Sequence, residues 1–109
     1  MRKAKVLFKN EVAGVLIQND DGTFIFQYQD DWIKDITTKS ISPTLPKAEK
    51  TFFSSYLFPF FYNMLPEGSN KQIVCKLNRI DHDDHFGILM VSAKYDSVGA
   101  VTIVKIENE

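Results

Sequence analysis

Ala4, Val6 and Phe8 alternate with Lys3 and Lys5, so the N-terminal segment has one apolar side and one cationic side. A period of two fits a half-buried β-strand and not a helix. A tight connection at Asn10-Glu11 leads into a second strand over Val12 to Ile17. That strand is apolar on both faces, and Gly14 within it signals close packing or a bulge. Asn19-Asp20-Asp21-Gly22 has the chemistry of a hairpin turn, with Gly22 suited to positive φ. The third strand places Phe24, Phe26 and Tyr28 on one face. Three strands this close in sequence make an antiparallel meander.

Asp30 or Asp31 is expected to cap one helical turn containing Trp32 and Ile33. Thr37 to Pro46 contains Pro43 and Pro46, which favour an extended segment outside any central strand. Lys47 to Lys50 is charged and expected to be exposed. Phe52 to Tyr62 then holds seven of the chain's 14 aromatic residues, which points to core. Phe53, Leu57, Phe60, Phe61 and Met64 recur at spacings of three and four and predict a helix. Its cap would be Ser54 or Ser55, Pro59 would lie near its start, and Pro66 and Gly68 would end it. Ser69 would cap a second helix with Ile73, Val74 and Leu77 as its buried stripe. A third short helix fits Asp84 to Val91, apolar at Phe86, Ile88, Leu89 and Met90. Asp96-Ser97 leads through Gly99 into a last strand, Ala100 to Ile106. The order predicts an α+β fold: a three-stranded meander and a C-terminal strand packed with two to three short helices.

At 109 residues the chain suits a single domain spanning 1–109. Thirteen Lys and Arg against 14 Asp and Glu give a net charge of −1, too little positive field to hold a nucleic-acid backbone. The single cysteine, Cys75, excludes an internal disulfide and fits a reducing cytoplasm. The most apolar stretch, Tyr56 to Leu65, falls well short of the roughly 20 residues of a membrane span. The start of the chain lacks the apolar run of a signal peptide.

Few residues offer chemistry. Asp81-His82-Asp83-Asp84-His85 holds both histidines and three carboxylates, all competent metal ligands, and a small metal-dependent enzyme is one reading of it. Adjacent residues point in different directions, however, and Asp83 or Asp84 is well placed to cap the following helix; this structural reading is preferred. The aromatic run could stack bases, but no basic residue lies between Phe52 and Leu65. Cys75 sits beside Val74 with no base on its own element, as a buried small residue would. Neither GxGxxG nor a Walker GxxxxGK is present, and the kinase HRD and DFG elements are missing. No helix-turn-helix pattern supports DNA binding. The residues themselves lead to a binding or interaction module.

An ordered series of motifs adds to this. Val12-Ala13-Gly14-Val15-Leu16, Phe26-Gln27-Tyr28 through Trp32, and Ser40-Ile41-Ser42-Pro43-Thr44-Leu45-Pro46 follow one another. After them come Phe60-Phe61-Tyr62-Asn63-Met64-Leu65-Pro66-Glu67-Gly68, Asp84-His85-Phe86-Gly87-Ile88-Leu89 and Asp96-Ser97-Val98-Gly99-Ala100-Val101-Thr102. The series resembles the N-terminal subdomain of HipA-type serine/threonine kinases, the toxin half of bacterial toxin–antitoxin pairs, from about residue 4 to 106. In those kinases the segment precedes a long core carrying ATP, magnesium and the catalytic groups, whereas here the last residues look like a natural polar tail. The resemblance therefore implies a stand-alone, HipS-like antitoxin of the split HipBST type, without catalytic residues or cofactor. Its partner would be a HipT-like kinase core, with a HipB-like DNA-binding protein in the same complex. It could instead be a positive subunit, or a fragment detached from a kinase. The expected partner-binding residues are Tyr62 with the turn Leu65, Pro66, Glu67, Gly68, Ser69 and Asn70, where Pro66 and Gly68 limit the entropy lost on docking. Asp96, Ser97 and Val98, within the segment Asp96–Val101, are a second candidate.

Overall fold

The computed structural model describes residues 1–93 and 100–106. Five strands and four helices follow in the order β1 (Arg2–Phe8), β2 (Glu11–Gln18), β3 (Phe24–Tyr28), α1 (Asp30–Lys34), β4 (Thr51–Ser54), α2 (Pro59–Tyr62), α3 (Gly68–Asn78), α4 (His85–Ser92) and β5 (Val101–Lys105). The strands form one sheet in the order β4-β3-β2-β1-β5, and every pairing is antiparallel. The expected α+β class holds, with the meander and the C-terminal strand in place. Lys9 and Asn10 turn the chain between β1 and β2 at positive φ, and Gly22 does so between β2 and β3.

The register defines two unlike faces. On the inner face Ala4, Leu16, Phe26 and Phe52 lie side by side across four strands. Ala4, Leu16 and Phe26 are fully buried, as are Val6 and Ile103. Both features foreseen for Gly14 occur. Val6 faces Gly14 while Leu7 faces Val12, so Ala13 is the extra residue of a bulge. The carbonyl of Ala13 accepts the Gln29 amide at 2.9 Å and so anchors the entry to α1. A Cβ on Gly14 would lie 2.5 Å from the Gln27 carbonyl oxygen and 2.8 Å from the Phe26 ring.

Aromatic residues knit the inner layer. The Phe26 ring meets Tyr28 edge-on at 4.9 Å and lies 5.7 Å from Phe61. The Tyr28 hydroxyl donates to the Leu45 carbonyl and accepts the Ile41 amide at 3.1 Å, which fastens the proline-containing segment over the core. Burial pushes the Tyr28 phenol above its usual pKa. As expected, residues 37–46 form no strand; a single bridge joins Ser42 to Leu45.

Helix α4 is apolar all round and has five consecutive buried residues, Phe86 to Met90. A helix of that composition must be covered on several sides. It packs against β5 and also against α3. The layers are thus sheet, α4, then α3.

Five sequence expectations give way. The aromatic run is not one helix: Thr51–Ser54 forms β4, paired with β3, and helix is confined to Pro59–Tyr62. β-propensity and pairing with β3 prevail over an accidental 3–4 spacing. Ser54 and Ser55 therefore cap nothing; Phe58 is the cap residue and Pro59 stands at the helix start, as foreseen. Asp30 and Asp31 lie inside the first turn of α1, with Gln29 at the cap, and Ser69 lies inside α3, with Glu67 at the cap. Neither cap residue makes a side-chain capping bond. Finally, Ile73 and Leu77 are 54% and 78% exposed, Val74 is half-buried and Cys75 is the buried residue of α3. Residues two positions apart on a helix point to nearly opposite sides, so when Cys75 faces α4 its neighbours at 73 and 77 face outward.

Gly14→Ala should destabilise the fold by about 2–3 kcal/mol, because the new methyl meets backbone as well as a ring. Urea denaturation followed by circular dichroism would measure this, with the midpoint falling at unchanged slope.

Candidate functional site

Three chain segments converge beside α4. The strand β4 leaves the sheet at Ser54 and passes through Ser55 and Tyr56 to α2, whose last residue is Tyr62. The loop before α4 brings Asp83, and the first residue of α4, His85, to the same place. Together with Gln18 and Phe24 these residues border a cleft of about 280 Å³. The His85 ring stands perpendicular to Tyr62 with centroids 5.3 Å apart. Tyr56 and Tyr62 remain 82% and 51% exposed. Sequence spacing places Tyr62 at this turn but does not bring Tyr56 or His85 to it; that meeting depends on how β4 joins the sheet.

From the cleft the chain runs through Leu65 and Pro66, both half-buried, to exposed Glu67, Gly68, Ser69 and Asn70. The bend requires the positive φ of Gly68, +58°, which side-chain-bearing residues adopt at a cost. Ser69, Ile73 and Leu77 then follow at intervals of four along α3 and share one helix face. The apolar members of that stripe point outward, so the turn and α3 present one continuous surface. Asp96, Ser97 and Val98 lie outside the described residues.

The acidic and histidine cluster is dispersed by its own local bonds. Asp81 Oδ1 accepts the Asp83 amide at 3.1 Å, and His82 is exposed. Asp84 is the N-cap of α4, accepting the Gly87 amide at 3.1 Å, as the helix reading expects. Its carboxylate also pairs with Arg2, Nη1 to Oδ2 at 3.0 Å and Nη2 to Oδ1 at 2.6 Å. The same guanidinium donates through Nε to Gln18 at 2.9 Å and lies 5.1 Å from the Phe86 ring centroid. Arg2 thus ties the first strand to the start of α4. Among the described residues no three His, Cys, Asp or Glu side chains come together as a metal site. Nor is any described helix long and apolar enough to cross a membrane.

This geometry is that of a small sheet-and-helix domain that leaves apolar side chains exposed at several places, among them Tyr56 and Tyr62 at the cleft, Ile73 and Leu77 on α3, Phe53 on the sheet and Ile36 after α1. Comparison with known proteins gives its family. The HipA N-terminal domain model matches residues 4–104, and the chain belongs to that family. A solved structure described as the N-terminal domain of HipA toxin superposes with a TM-score of 0.74 at 28% identity, covering all of this chain and 96% of the other. An uncharacterized protein of Haemophilus influenzae (strain ATCC 51907 / DSM 11121 / KW20 / Rd) is 32% identical over 103 residues, which are 94% of this chain and 92% of that protein. "Putative kinase Y4mE" of Sinorhizobium fredii (strain NBRC 101917 / NGR234) is 27% identical over 89 residues, 82% of this chain but only 21% of the relative.

The Arg2–Asp84 pair carries a pH signature. The hydrogen bond from Arg2 holds the Asp84 carboxyl below the usual carboxylate range, burial opposes it, and the Gly87 amide lowers it further. A carboxyl depressed in the folded state stabilises the fold above its unfolded pKa, about 4, and that contribution is lost as pH falls through the folded value. Asp84→Asn should therefore cost about 0.5–1 kcal/mol at pH 7, a modest figure because both partners are partly exposed. Thermal melts of the two proteins should converge as the pH is lowered below about 4.

Proposed function

We propose that this chain is a non-catalytic binding subunit of a split HipA-like toxin–antitoxin system, and that it neutralises or regulates a separate HipT-like serine/threonine kinase chain. The observation that carries the reading is the outward stripe of Ile73 and Leu77 leading away from the Leu65–Asn70 turn, on a domain of the HipA N-terminal family. Apolar side chains at such exposure beside a rigid turn suit a protein partner. The Haemophilus relative, matched over nearly its whole length, supports a protein made of this domain alone.

Where the domain is fused to a kinase core, the connecting chain keeps the two together at high effective concentration. A separate subunit holds the same surface by affinity alone. Tyr62 and the Leu65–Asn70 turn would dock on the core, and a turn reaching the nucleotide cleft would block its closure or substrate entry. Asp96 to Val98 would add a second contact. The rhizobial relative, in which the matching part is about a fifth of a longer chain, favours a second reading in which the domain completes a kinase.

Growth of cells expressing the kinase core distinguishes the two. Co-expression of this chain should restore growth if it is an antitoxin; deeper arrest on co-expression would establish a positive subunit instead. Glu67→Lys and Ile73→Glu should each weaken binding of the core about tenfold or more, as expected for central interface positions, with little change in melting temperature. Isothermal titration calorimetry reads the first effect and a thermal melt the second.

A further inference from the structure

The outer face of the sheet is unlike the open face of an ordinary antiparallel sheet, which is polar. Register places Ile17, Ile25 and Phe53 side by side across β2, β3 and β4. Val15 lies next along β2, and Val104 pairs with Lys5 on β1. Phe53 is 74% exposed and Val104 is 38% exposed, while Val15, Ile17 and Ile25 are half-buried by their neighbours. None of the five belongs to the buried core, which gathers the helices on the opposite side. The row of Ile17, Ile25 and Phe53 contains one polar residue, Lys3, opposite Ile17, while the row of Val104 and Val15 contains Lys5, Gln27 and Thr51. At the rim, the carboxylate of Asp30 is already paired with Lys50 at 2.7 Å.

We infer that this outer face is a second docking surface for the same kinase-core partner, and that the partner covers it with an apolar patch bordered by carboxylates facing Lys3 and Lys5. The inference rests on the functional reading above and extends it from the turn to the sheet. Charge identifies the occupant. A second copy packed face to face would set Lys3 and Lys5 of both copies against like charges, whereas a partner carrying carboxylates supplies opposite ones. In the rhizobial relative about four-fifths of the chain lies outside the matched domain, which provides a large neighbour of the kind required. The two surfaces approach each other at the β4 corner: Phe53 ends the outer row, and Tyr56, three residues later, borders the cleft shared with Tyr62.

The test is titration of the intact chain with a HipT-like kinase-core chain, at low and high salt. Lys3→Glu with Lys5→Glu, and separately Phe53→Ser, should each lower affinity about tenfold or more, and the charge reversal should also flatten the salt dependence. Circular dichroism melts should show these outward-facing variants to be as stable as the unaltered chain. Unchanged affinity in both, with Glu67→Lys still weakening binding, would overturn the sheet-face inference and leave the functional reading standing. Failure of the unaltered chain to bind the core would overturn both. A dimer of the isolated chain in sedimentation, abolished by Phe53→Ser, would show that a second copy is the occupant instead.

Discussion

A five-stranded sheet has two faces, and the helices of this chain supply cover for one. That geometric limit organises the molecule. The inner face receives Phe61, Phe86, Leu89 and the segment carrying Ile41 and Leu45, and its central residues Ala4, Val6, Leu16 and Phe26 reach full burial. Helix α4, which packs on β5, is apolar in every direction and so needs α3 behind it. Little is left for the outer face. Ile17 and Ile25 remain there half-buried, and Phe53 is exposed.

Two polar devices hold the one-sided packing in register. The Tyr28 hydroxyl satisfies a buried carbonyl and a buried amide of the proline-containing segment, which would otherwise lose about 1–3 kcal/mol each on desolvation. Arg2 links the first residues of β1 to the cap of α4, joining elements 82 residues apart in sequence. Neither arrangement is catalytic in character. Each explains why polar residues that look like site candidates in a linear reading are occupied with structure, Asp84 above all.

The N-terminal meander, the hairpin turn at Gly22, α4 and the last strand were legible because each carries its own periodicity or turn chemistry. The aromatic run was not. Phe53, Leu57, Phe60 and Phe61 have helical spacing, yet Phe52 and Phe53 pair with β3 as an edge strand, and only tertiary pairing distinguishes the alternatives. Helix α3 shows a related failure. Val74 and Cys75 can face inward together or Ile73 and Leu77 can, and which side meets α4 is decided by packing. Of the candidate interface, the turn Leu65–Asn70 could be located from Pro66 and Gly68. The outward stripe on α3 and the company of Tyr56, Tyr62 and His85 could not.

The amino-acid sequence by itself determined the class of fold, the strand-rich N-terminal half, the family resemblance and the scarcity of reactive groups. All of these follow from local patterns and from residue types in a fixed order. Tertiary structure alone decided which apolar residues were left outside. Burial is a competition among all apolar side chains for a limited area of cover, and its outcome depends on distant partners rather than on any short stretch of chain. Phe53, Ile73 and Leu77 are among the residues that this competition left outside.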